Sequence, residues 1–126
     1  MDAFVAAQTL INDFEARLRL TILTANEPFL FYTGVGEKYY TGVLAWSLKG
    51  FLDAVAVVDA AALEFHIGNG DFENWVRCSL RDSDLADQIK ALTALKGEAL
   101  RKTLALAVKQ RFSTQTRKLK DALQLS

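Results

Sequence analysis

The chain has 126 residues, 51% of them hydrophobic, with one proline and seven glycines; this is apolar surface enough for one core, with no stretch rich enough in proline or glycine to be a disordered linker. Its single cysteine, Cys78, excludes an internal disulfide framework, and its fifteen basic and fifteen acidic side chains cancel. Asp53, Asp59 and Glu64 interrupt the most hydrophobic region, so no segment reaches the roughly 20 apolar residues of a membrane span.

The start Met1-Asp2-Ala3-Phe4 lacks the basic and apolar regions of a secretory signal, and the expected compartment is the cytoplasm. The charge balance hides an asymmetry. Residues 1–95 carry 7 Lys or Arg against 13 Asp or Glu, a net of −6, whereas residues 96–126 carry 8 against 2, a net of +6. A basic C-terminal arm on an acidic body reads either as a surface for nucleic acid or another acidic partner, or as a helix lying on its own acidic body or on that of a second copy.

Phe4, Ala7, Ile11, Phe14 and Leu18 recur at spacings of three and four and predict an amphipathic helix over residues 2–23. Glu27-Pro28 marks its end, because proline disfavours helical geometry in the residue before it. Phe29 to Thr33 then reads as a strand, Gly34 to Lys38 as a turn and Tyr39 to Gly42 as a second strand, a hairpin near residues 29–42. A two-stranded hairpin is marginal alone, so its aromatic face must pack on helices.

Leu44, Leu48, Leu52 and Val55 predict a helix over residues 43–57, and Asp59 caps a second one running to His66. The stretch from Phe65 to Trp75 holds the only histidine and reads as a tight corner with a Gly-Asn-Gly turn. Asp71 there is expected to cap a third helix that ends near Leu80. Asp82 or Ser83 caps a fourth, with Leu85, Ile89 and Leu92 inward, and Lys96-Gly97-Glu98 breaks the chain before a long helix carrying Leu100, Leu104, Val108 and Phe112. Beyond Phe112 the apolar stripe fades, and the basic tail over residues 113–126 protrudes, frays or binds a partner. The expected fold class is mainly α: about five helices in one compact, bundle-like domain over residues 1–126, with a small β-hairpin.

In order, Gly36, Leu48, Phe65-His66, Gly70-Asp71-Phe72 with Trp75, Asp82 with Leu85-Ala86, and Gly97-Glu98 with Leu100-Arg101 resemble a prokaryotic family known as domain of unknown function five-seven-five-two, over roughly residues 28–112. The resemblance implies a small helical protein of archaea or bacteria, and it implies no activity, cofactor or partner. The first helix and the basic tail lie outside it.

The residues exclude several chemistries. One histidine and a cysteine twelve residues away match no zinc spacing, and no Glu-x-x-His pair supports a di-iron bundle. No metal or cofactor is therefore expected. Cys78 falls late in a helix, where the dipole does not activate a thiol, and reads as buried. Gly34 to Lys38 lacks the spacing and the hydroxyl residue of a phosphate loop, although an opening directly into a helix near Val43 would leave amides for an anion. His66, at the end of a helix, is placed to cap a free carbonyl and to gain from the helix dipole when protonated.

Phe29, Phe31, Tyr32, Tyr39, Tyr40, Phe65, Phe72 and Trp75 are core residues, or in part (Tyr39, Tyr40 and Trp75) the lining of a pocket or interface. The resulting expectation is a non-catalytic binding or regulatory module, with an unidentified protein or a second copy as partner. Its recognition residues are His66, Asp71, Phe72 and Trp75, on a surface joining the corner to the C-terminal helix. One alternative is a small-ligand protein with an aromatic pocket between hairpin and helices. The other is nucleic-acid binding through Arg101, Lys102, Lys109, Arg111, Arg117, Lys118 and Lys120.

Overall fold

A computed structural model describes residues 24–124, apart from the side chain of Leu123. The helix expected over residues 2–23 lies outside the described residues. The described chain is mainly α: an antiparallel hairpin, β1 (Thr24–Tyr32) and β2 (Tyr40–Ser47), precedes five helices in a compact arrangement. These are α1 (Leu48–Val57), α2 (Ala60–Asn69), α3 (Asp71–Cys78), α4 (Ser83–Lys90) and α5 (Gly97–Gln124).

The hairpin is longer at both ends than the expected residues 29–42. Glu27-Pro28 ends no helix; it lies within β1. Between the pairs Thr24↔Ser47 and Phe29↔Ala45, β1 advances five residues while β2 advances two, and Pro28, which has no N–H to donate, sits in that irregular stretch. On the other strand, β2 carries the extra residues between Leu44 and Tyr40, where Gly42 adopts φ +84°.

The helix expected from Val43 begins only at Leu48. Residues 44–46 alternate as a strand does, with Ala45 buried and Leu44 and Trp46 exposed, until the Ser47 hydroxyl accepts the Gly50 N–H at 3.0 Å and caps α1. The four-residue step from Leu44 to Leu48 therefore spans a strand–helix junction.

α2 and α4 start at the caps the sequence implies. Asp59 accepts from the Ala61 N–H at 2.9 Å, and Asp82 from the Leu85 N–H at 3.1 Å. In the corner, Gly68 and Asn69 stay helical and the turn is made by Gly70 alone, in the left-handed conformation at φ +73°. The Gly70 N–H returns to carbonyls of the last turn of α2, and α3 starts at the next residue.

One hydrophobic cluster joins the hairpin to the helices. Phe31, Phe51, Leu63, Phe72, Leu85 and Ile89 are fully buried in it. Onto this core α5 lays Leu100, Leu104 and Val108, packing against α1, α2 and α4. Residues 113–124 continue α5 as helix, with Leu119 buried and Arg117, Lys118 and Lys120 exposed. No helix among the described residues is long and apolar enough to cross a membrane.

A Cβ at position 70 would meet no neighbouring atom, so its cost is conformational only. Gly70→Ala is expected to lower stability by about 1 kcal/mol, the left-handed penalty of an ordinary residue, which thermal unfolding would register as a fall of roughly 3–5 °C in Tm.

Candidate functional site

The geometry of the corner follows from the open edge of β1. The Phe31 carbonyl accepts from the Thr41 hydroxyl and the Thr33 N–H donates to the Tyr39 carbonyl, so these odd-numbered residues face β2. Strand alternation turns Leu30 and Tyr32 the other way, toward α2 and α3.

Two helix side chains and one backbone carbonyl close part of that edge. The Tyr32 N–H donates to His66 Nε2 at 2.8 Å, and Trp75 Nε1–H donates to the Glu27 carbonyl at 2.8 Å. The Asn26 N–H donates to the Ser79 carbonyl at 3.3 Å. A backbone amide can only donate, so Nε2 must be unprotonated and the proton of the neutral ring sits on Nδ1. That Nδ1–H meets Asp71 Oδ2 at 2.8 Å.

This arrangement corrects several expectations. Asp71 makes no cap; its carboxylate reaches back one turn to hold the imidazole, and α3 starts on Gly70 without a side-chain cap. His66 caps no carbonyl. It is 4% exposed, and burial pushes its pKa below the ordinary 6.5, opposed by the hydrogen bond and the charge of Asp71. The neutral form is the favoured one, and a protonated ring gains nothing from the end of α2.

Of the expected recognition residues, Trp75 is 7% exposed and Phe72 is fully buried. With His66 they surround Phe29, whose ring centroid lies 4.7 Å from His66, 5.0 Å from Phe72 and 5.6 Å from Trp75. Cys78, expected to be buried, is exposed, and its thiol contacts Asn74 Oδ1 at 3.5 Å.

Between the two pins the edge stays open, and there the surface sinks into a cleft of about 680 Å³. Its floor and walls come from Pro28 and Leu30 of β1, from Tyr32, from Phe65 and His66 of α2, and from Asp71, Trp75 and Cys78 of α3. The 34–37 loop forms the opposite rim, with Val35 83% exposed. This loop runs into a 3₁₀ turn and then β2, so it presents no helix N-terminus to an anion. Tyr39 is exposed, and Tyr40 packs against Tyr32 at 5.2 Å; neither lines the cleft.

The C-terminal basic residues divide into two groups. Arg101 donates to the Val55 carbonyl at 2.6 Å and pairs with Glu98, while Arg111 donates to buried Asp82 at 2.6 Å, so both tie α5 to the body. Lys102, Lys109, Arg117 and Lys120 lie along the exposed face of α5, and Lys118 is exposed on another side of that helix. No α5 residue lines the cleft. Among the described residues no cluster of His, Cys, Asp or Glu is placed to hold a metal ion.

Searches of protein-family models, of curated proteins and of solved structures each found no match to this chain.

The buried imidazole makes a pH prediction with a definite sign. Its folded pKa lies below the unfolded 6.5, so its contribution to stability is complete above pH 6.5 and is lost as the pH falls below that value. With a single histidine in the chain, denaturant unfolding at stepped pH from roughly 7.5 to 5.5 should show stability falling by at most about 1.4 kcal/mol per pH unit. His66→Gln, which cannot titrate, should be less stable at pH 7.5 and nearly flat across the window. Equal slopes in both proteins would refute the assignment.

Proposed function

We propose that this protein is a non-catalytic binding module whose recognition element is the cleft between the 34–37 loop, the β1 edge and the α2–α3 corner, taking a small molecule or a single side chain. The observation that carries the reading is the cleft itself. Its volume of about 680 Å³ falls in the range typical of small-ligand sites, and such sites combine apolar walls with a few fixed polar groups. Here Phe65, Trp75 and Pro28 supply walls, and Asp71, held by His66, supplies an anchored carboxylate.

Other observations support a role without chemistry. Both ring nitrogens of the only histidine are engaged, one by a backbone amide and one by Asp71, so the imidazole has neither a free lone pair nor a spare proton to transfer. The Cys78 thiol contacts an amide oxygen and no base. The cleft is favoured over the exposed lysines of α5 because it pairs concavity with aromatic walls, whereas the α5 face offers charge alone. Placement in the cytoplasm and in the prokaryotic family described above belongs to the same proposal and is compatible with such a module.

A thermal-shift screen with a metabolite library, followed by amide NMR mapping, tests this reading. A compound at ten times its Kd should stabilise the protein by roughly 1.4 kcal/mol, and the amides it moves should cluster at Leu30, Tyr32, Val35 and Trp75. No stabilising compound, or hits that map only to α5, would overturn it.

A further inference from the structure

We infer that the cleft selects organic cations: a ligand with an ammonium head and an apolar body. The inference rests on the cleft being a binding site and adds the chemistry of its occupant.

The groups that line the cleft agree in sign. Among the described residues, Glu27, Glu37 and Asp71 line it, and no lysine or arginine does. Lys38, the neighbouring base on the loop, sends its ammonium over the Tyr39 ring at 5.0 Å, and Tyr39 is outside the lining. The ring of His66 is neutral in its favoured form, so it does not offset the carboxylates.

The backbone supplies the same kind of group. Pro28 has no amide to donate, the Tyr32 amide is taken by His66, and the Leu30 carbonyl faces away from β2 on the open edge. Between the two pins the edge keeps a single N–H, that of Leu30, beside carbonyls and carboxylates. Asn74, Ser79 and the 34–37 loop also bring neutral donors to the lining, so the discrimination rests on charge: an ammonium is attracted by the carboxylates, and a carboxylate or phosphate is repelled by them.

The walls give the cation a second source of attraction. Tyr32, Phe65 and Trp75 line the cleft, and aromatic faces attract a positive charge in proportion to its desolvation. A neutral ligand of the same shape would keep the apolar contact and lose both electrostatic contributions.

Three probes with one apolar body and different charge test the inference: 2-phenylethylamine, 2-phenylethanol and phenylacetate, each titrated into the full chain at neutral pH and followed by amide NMR. The amine is expected to move amides at Leu30, Tyr32, Val35 and Trp75, to bind roughly ten-fold more tightly than the alcohol, and to weaken as salt is added. Phenylacetate is expected to leave those amides in place. The double variant Glu27→Gln/Glu37→Gln removes two exposed carboxylates that accept no hydrogen bond from another described side chain. It should cut amine affinity by about five-fold or more while leaving the affinity for the alcohol unchanged.

Equal binding of alcohol and amine at the cleft would overturn the charge selectivity while leaving the cleft as a site. Tighter binding of phenylacetate, amine shifts confined to acidic α4, or no shift with any probe would each overturn it as well; the metabolite screen decides separately whether the cleft binds anything.

Discussion

A two-stranded sheet has a partner on one side of each strand and bare amides and carbonyls on the other. For β1 part of the outer side packs against the α2–α3 corner, where an unpaired N–H or C=O costs about 1–3 kcal/mol. The α2–α3 corner resolves this with side chains, since a helix has no free backbone to add to a sheet. His66 accepts the Tyr32 amide, Trp75 donates to the Glu27 carbonyl, and the Ser79 carbonyl beyond α3 takes the Asn26 amide. Both side chains are also ring partners of Phe29, so the polar pins and the aromatic core are the same residues. The angle between α2 and α3, set by one left-handed glycine, decides whether both pins can be made together.

That constraint propagates to the surface. Once a backbone amide occupies Nε2, the ring proton must sit on Nδ1, and Nδ1 must find an acceptor; Asp71 is the acceptor. A carboxylate that could have capped α3 is held beside the cleft, 43% exposed. The pins also leave a gap between them. Leu30 lies in it with its backbone turned away from β2, and the hollow there is bounded by the same Trp75 and His66 that close the edge on either side. Structural closure of the sheet and the shape of the cleft are thus one arrangement, and the cost of using the only histidine structurally is that it has no free nitrogen for catalysis.

Much of the fold was legible in periodicity. The buried faces of α4 and α5 lie at the four-residue spacings of Leu85 and Ile89 and of Leu100, Leu104 and Val108, all fully buried, and Asp59 and Asp82 cap as their positions imply. The departures share a cause: a longer-range interaction decides where a short-range pattern points elsewhere. Leu44 matched a helical spacing, but Leu44 is 43% exposed on a strand, and the signal available was Ser47 three residues before Gly50, a helix cap. Asp71 stood at a capping position and was claimed by a ring five residues earlier. The contacts of His66 with Tyr32 and of Trp75 with Glu27 cross 34 and 48 residues, and no local pattern encodes them. The rare residues concentrated in the corner do come together beside the cleft; their burial and the cleft itself follow from tertiary packing.

The tautomer of His66 tests the central claim most directly, because its hydrogen bonds set which nitrogen of a neutral histidine carries the proton, and the strand amide of Tyr32 requires it on Nδ1. Long-range ¹H–¹⁵N NMR of the folded protein at neutral pH should show a neutral ring with Nδ1 protonated, Nε2 bare, and a scalar coupling across the hydrogen bond from the Tyr32 amide nitrogen to Nε2. A ring protonated on Nε2, or an imidazolium at that pH, would contradict the account.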